Sequence, residues 1–187
     1  MFVTYVLAPE MVSYTILAIS VLLFLPMDFL RHRYPALNDW VIHALKPIMR
    51  TNEIHKMAGT TYLLSGVCIV AALFPRPVVA LTLLFLAFAD PIASFVGIKY
   101  GKDKVFGHKS IQGFMAAFAV CALATAVFLF YYNTPFDRVI VVSLLAGLIG
   151  ALAELVPVGK LDDNFTLPVL SGFGLYILFY LFGLFAA

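Results

Sequence analysis

Long apolar runs separated by short polar gaps organise this chain. Six runs reach or approach the roughly 20 apolar residues that cross a bilayer as a helix. They cover 11–30, 57–74, 78–98, 111–132, 138–156 and 166–186. The second is the shortest and is expected to begin within the polar stretch near Glu53. Pro75 and Pro77 close it and force a tight turn, and Asn133-Thr134-Pro135 makes the next one. Between the first two runs, Leu37, Trp40, Val41, Ala44, Leu45 and Ile48 recur at helical spacing. That spacing predicts a short helix lying along the membrane surface, with Trp40 in the headgroup layer. The pattern therefore predicts an all-α polytopic membrane protein. About six transmembrane helices and one interfacial helix form a single domain over 1–187. The first run has no basic segment before it and reads as a retained span, not a cleaved signal.

Composition agrees with the pattern. Of the 187 residues, 63% are hydrophobic and 12% charged, against about 25% charged in a soluble domain. A soluble core of this length cannot hide so much apolar surface, so the bilayer must be the solvent for most of it. Net charge is only +2, which gives no reason to expect a nucleic-acid partner. Cys68 and Cys121 sit in apolar runs, as small buried residues do.

The placement of the charges is more informative than their number. Arg31, Arg33, Lys46, Arg50, Lys56, Lys99, Lys102, Lys104, Lys109 and Lys160 all fall in alternate gaps, whereas only Arg76 and Arg138 fall in the others. This is a strong positive-inside signal. It places the first, third and fifth gaps in the cytoplasm and both termini on the opposite side. All four histidines (His32, His43, His55 and His108) share the cytoplasmic side.

Carboxylates collect on that side too. Asp28 closes the first run, Glu154 lies in the last turn of the fifth, and Asp162-Asp163-Asn164 precede the sixth. Asp28 and Arg31 have the i,i+3 spacing of a helix-end ion pair. Asp39 reads as a cap or surface charge, and Asp103 as a solvated loop residue. Asp90 stands apart. It lies inside the run LTLLFLAFADPIASFVGIKYG, about 12 Å deep at 1.5 Å per residue. A carboxylate there is costly unless it has a task or a partner. Asp90, Ala93, Ser94 and Gly97 share one helical face, whose small side chains allow close approach of a helix or a ligand. The segment behind it carries Gly97, Gly101, Gly107 and Gly113 with four lysines between. Ser110 stands where a new helix starts, and a helix N-terminus beside Lys109 suits a phosphate. The spacing is not that of a Walker A loop. Cations and carboxylates on one face suit a polyphosphate with a divalent metal, since Lys and Arg hold phosphate oxygens and carboxylates hold Mg²⁺.

FADPIASFVGIKYGK followed by HKSIQG resembles the core signature of the CTP-dependent lipid-alcohol kinases. That family includes dolichol kinase, phytol and farnesol kinases and the CTP-dependent diacylglycerol kinase. RTNEIHKMAGTTYLLSG and ELVPVGKLDDNFTLPVLSG resemble its other segments, in the same order. The resemblance covers roughly 50–172. It implies transfer of the γ-phosphate of CTP to a membrane lipid alcohol with Mg²⁺ or another divalent cation; a polyprenol or dolichol is the first expectation, with phytol, farnesol and diacylglycerol left open. It matches Asp90 to the family's central acidic residue, as catalytic group and metal ligand. It implies Arg50, His55, Lys56, Gly97, Gly101, Lys102, Lys109, Ser110 and Gly113 as nucleotide-binding residues. It implies Glu154, Asp162 and Asp163 as further metal ligands. Several relatives have an Arg-Lys pair before the His, where this chain has Glu53-Ile54-His55-Lys56, and some have a Glu where it has Asp28. CTP, a lipid alcohol and the bilayer are the implied partners, and homo-oligomerisation is left open. Two rival readings stand beside this one. A cytidylyltransferase making a CDP-lipid needs the same substrates but a late Lys-Asp and His-Gly-Gly signature, which is missing. A small ion-coupled transporter could use Asp90, but the chain has no evident inverted repeat.

Overall fold

A computed structural model describes residues 5, 7–45, 56–107, 109–159 and 161–185. Among them, seven helices account for nearly all regular structure. They are α1 (Glu10–Arg33), α2 (Pro35–Leu45), α3 (Gly59–Leu73), α4 (Arg76–Lys99), α5 (Ile111–Tyr131), α6 (Phe136–Leu155) and α7 (Asp163–Leu181). Five are long and apolar enough to span a membrane: α1, α4, α5, α6 and α7. The shorter apolar helix is α3, in the run expected to be shortest. The surface helix expected after the first run is α2, with Trp40 63% exposed. The chain is thus an all-α polytopic membrane protein.

The exposure pattern is that of a protein solvated by lipid. On α6, Ala146, Gly147, Gly150, Ala151 and Ala153 face inward, while Ile140, Leu144, Leu148 and Leu152 are exposed. Small residues inside let helix backbones approach closely where burial of large side chains gives no advantage over lipid. A Cβ at Gly150 would lie 2.4 Å from the Cys121 sulfur and 2.9 Å from the Phe85 ring. Both cysteines are free thiols; Cys121 is buried and Cys68 half-buried. Phe173, Tyr176 and Tyr180 on α7 are exposed on one face, the first two against Phe74.

The neighbours of α4 change along its length. Its first stretch, Arg76–Leu84, touches α3, α5 and α7, and its last, Asp90–Lys99, packs on α5 and on Lys109–Ser110 just before it. Val78, Val79, Leu81 and Phe85 are fully buried, whereas Ser94, Phe95 and Ile98 are exposed. Between the two stretches lies a π-helical turn, Phe85–Ala89, and the Asp90 N–H donates to the carbonyl five residues back, on Phe85. Pro91 explains the widening. It has no N–H for the carbonyl of Ala87, and its ring crowds that carbonyl. The helix opens by one residue and re-forms at Asp90. The 99–110 gap was expected to be loop, but it holds a short antiparallel pair, β1 (Lys104–Phe106) and β2 (Lys109–Ser110). Gly107, with φ +54°, sits at its turn, in a conformation that favours glycine.

Of the two basic residues at the other end of the bundle, Arg76 donates to the carbonyls of Tyr5 and Ala8 at 2.8 and 2.6 Å. Arg138 donates to the carbonyl of Phe182, just past α7, at 3.0 Å.

Candidate active site

The basic end of the bundle carries two polar clusters. The first is centred on Lys109 in β2. Its ammonium lies 3.3 Å from the Glu154 carboxylate and 3.0 Å from that of Asp163, and it also donates to the Glu154 carbonyl. One cation thus ties β2 to the end of α6 and the start of α7. Glu154 is buried, whereas the Asp163 side chain is 45% exposed. Glu154 also lies in the electrostatic field of Asp90. Asp90, half-buried, is the first residue after the π turn. Such turns recur at functional sites because they re-aim side chains without ending the helix. Lys109, Glu154 and Asp163 therefore meet at one place.

Asp162 is engaged differently. It is the N-cap of α7, and its Oδ1 accepts from the Asn164 N–H at 3.0 Å and from the Asn164 side chain at 2.7 Å. A cap of this kind stabilises a helix by about 1 kcal/mol. Among the described residues, no three His, Cys, Asp or Glu side chains are grouped closely enough to hold a metal by themselves. Mg²⁺ normally binds through one or two carboxylates plus substrate phosphates and water. Glu154 and Asp163, which both meet Lys109, fit that donor set if a polyphosphate supplies the rest.

The glycines behind Asp90 have a packing task. A Cβ at Gly101 would fall 2.1 Å from the Gly97 carbonyl and 2.6 Å from Ser110 Oγ, and one at Gly113 would fall 2.9 Å from the Ala93 carbonyl. Ser110 is buried, and its Oγ accepts from the Gly113 N–H at 3.2 Å as the N-cap of α5. The three glycines hold the end of α4 against the start of α5, with Ser110 wedged between. Lys102 is exposed, and its N–H donates to the Gln112 side chain at 3.2 Å. Gln112 in turn donates to Asp103 at 2.9 Å, so Asp103 is exposed but tethered. Lys104 donates to the Gly97 carbonyl at 3.0 Å. Neither Gln112, which lies within HKSIQG, nor Lys104 was assigned a site role from the sequence.

The second cluster joins α1, α2 and the start of α3. Asp28 and Arg31 form the expected pair, with Nε 2.5 Å from Oδ1. Both are buried. Asp28 Oδ2 also accepts from the Ala58 N–H at 2.9 Å and the Thr61 hydroxyl at 2.7 Å. Arg31 donates to Asn38 at 3.1 Å and to the Lys56 carbonyl at 2.7 Å. The Lys56 side chain is exposed. Arg50 and His55 lie outside the described residues.

Fold and site define an integral membrane protein with an acidic and basic cluster at one end of its helices. No family model matches the chain, and no solved structure matches it. Curated relatives do. It is 32% identical over 161 residues to the CTP-dependent diacylglycerol kinase 1 of Schizosaccharomyces pombe, covering 81% of this chain and 74% of that one. It is 30% identical to the protein of that name from Eremothecium gossypii and 31% identical to that from Saccharomyces cerevisiae. These alignments cover 78% and 81% of this chain but 52% and 58% of those longer proteins. The chain belongs to the CTP-dependent lipid kinase family.

Proposed function

We propose that this protein uses CTP to phosphorylate a membrane lipid alcohol at the cytoplasmic face of the bilayer. The observation that carries the reading is the convergence of Lys109, Glu154 and Asp163. The acceptor best supported by the relatives' names is a diacylglycerol; a polyprenol or dolichol is the alternative drawn from the sequence. The single domain over 1–187, both termini on the far side and a cytoplasmic site belong to the same proposal, supported by the ten-to-two distribution of Lys and Arg.

Phosphoryl transfer needs positioning and charge neutralisation more than covalent chemistry. The lipid hydroxyl oxygen attacks the γ-phosphorus of CTP, the β–γ bridging P–O bond breaks, and CDP leaves. Asp90 takes the hydroxyl proton. Lys109 turns from its carboxylate partners to the phosphates, and the exposed Lys56 and Lys102 add positive charge. Gly97, Gly101, Ser110 and Gly113 act by holding α4 on α5, which sets Asp90 and Lys109 relative to each other. Asp90, Glu154 and Asp163 would hold Mg²⁺, which when bound neutralises phosphate charge; Asp162 would support them as the cap of α7.

The test is an assay of purified protein in lipid nanodiscs with CTP, Mg²⁺ and either diacylglycerol or a polyprenol. The expected products are CDP and the lipid monophosphate. Release of pyrophosphate with a CDP-lipid would overturn the reading in favour of cytidylyl transfer. Ion flux in proteoliposomes without nucleotide, and no CDP with any acceptor, would favour a transporter.

A further inference from the structure

We infer that Asp28 and Arg31 form a positioning clamp for the segment that carries Lys56 to the nucleotide, and bind neither metal nor phosphate themselves. The inference rests on the proposed CTP-dependent kinase activity. Both Asp28 oxygens are engaged: Oδ1 by Arg31, and Oδ2 by the Ala58 N–H and the Thr61 hydroxyl. Arg31 is 2% exposed, and its three nitrogens donate to Asp28, Asn38 and the Lys56 carbonyl. A carboxylate with these partners has little reason to leave them for a metal, and a guanidinium so enclosed cannot reach a phosphate from the cytoplasm.

What the pair does instead follows from what it holds. The contacts span 25 to 33 residues of sequence and fix backbone at Lys56 and Ala58 and a side chain at Thr61, just before and inside the first turn of α3. The Lys56 carbonyl is gripped while its side chain is exposed. The backbone is thus fixed and the ammonium left available. The same guanidinium reaches Asn38 in α2, so the surface helix, the end of α1 and the start of α3 are held as one unit. Buried, fully hydrogen-bonded ion pairs are weak evidence for net stability but give a defined geometry. A small displacement of a charged contact costs binding steeply.

The experiment compares wild-type protein with Asp28→Asn, Thr61→Val and Thr61→Ser, reading KM for CTP, KM for the lipid acceptor, kcat and thermal unfolding. Thr61→Val removes one donor while keeping shape, so it guards against a misfolded Asp28→Asn. The expected result is a KM for CTP raised by about ten-fold in Thr61→Val, and more in Asp28→Asn, by displacement of Lys56. The KM for lipid stays unchanged, and Thr61→Ser restores the wild-type value. Lys56→Ala should raise the CTP KM equally, and adding Thr61→Val to it should have no further effect. A lowered unfolding temperature with the CTP KM unchanged in Thr61→Val would overturn the clamp. So would a Thr61→Val effect that adds in full to that of Lys56→Ala. A wild-type protein that makes no CDP with any acceptor would instead overturn the kinase reading, which separates the two failures.

Discussion

Lys109 and Glu154 stand 3.3 Å apart although 45 residues separate them, and the lysine also donates to the glutamate's own carbonyl. A buried carboxylate at the end of one span is thereby neutralised by a strand at the start of another. The arrangement ties integrity of the helix bundle to the candidate phosphate site, so single substitutions there have two readouts.

Lys109→Ala leaves the buried Glu154 without its ammonium. Breaking a buried pair costs about 3–5 kcal/mol, but the lysine is 17% exposed and Asp163 45% exposed, so solvent screens part of this. A loss of about 1–3 kcal/mol is expected, seen as a lower unfolding temperature in detergent, together with a raised KM for CTP. Lys109→Ala with Glu154→Gln should recover stability without recovering turnover. An unchanged CTP KM in the single variant would move the phosphate site elsewhere.

Asp90→Asn is nearly isosteric and is expected to fold. It should lower kcat by about 10²–10⁴-fold, the usual worth of a positioned proton acceptor, while the unfolding temperature changes little. Turnover within a few-fold of wild type would remove Asp90 from the chemistry.

Gly101→Ala and Gly107→Ala separate packing from loop flexibility. At Gly101 the new Cβ meets backbone at 2.1 Å, whereas at Gly107 it meets nothing within 4 Å. Overpacking should make Gly101→Ala destabilising by about 1–3 kcal/mol. Gly107→Ala should cost about 1–2 kcal/mol, the penalty for a left-handed backbone with a Cβ, and should act only on the hairpin. Thermal unfolding shows the first difference; hydrogen exchange over 104–110 shows the second.

Chelation should stop turnover without unfolding the protein. Mg²⁺ normally binds through one or two carboxylates plus substrate phosphates, so the cation should arrive with the nucleotide. EDTA is expected to abolish CDP formation, Mg²⁺ to restore it, and the unfolding temperature to stay constant throughout. A large fall in that temperature would point to a structural metal.

Single-cysteine labelling tests orientation. With Cys68 and Cys121 replaced, a cysteine at Asp103 should react with an impermeant maleimide only from the inner side, and one at Thr134 only from the outer. The opposite result would reverse the topology expected from the Lys and Arg distribution.

The spans, the surface helix at Pro35–Leu45, the short third helix and the Asp28–Arg31 pair were legible in the sequence, because each is a local property: a run of apolar residues, a 3.6-residue period, an i,i+3 spacing. The meeting of acids and bases at one end of the bundle was legible in part, because Lys109, Glu154 and Asp163 all fall in or beside alternate gaps. Three things were decided only by the tertiary structure. The close approach of Phe85 and Cys121 to Gly150 joins helices far apart in sequence. The glycines at 97, 101 and 113 suggested a phosphate loop but meet each other and Ser110, because α4 and α5 cross there. Thr61 reaches Asp28, and Lys109 reaches both Glu154 and Asp163, because helices distant in sequence pack side by side. Periodicity says which face of a helix is apolar, and charge says which end is inside. Which helices become neighbours, and at what rotation, depends on close packing summed over the whole bundle, and no local pattern carries that information.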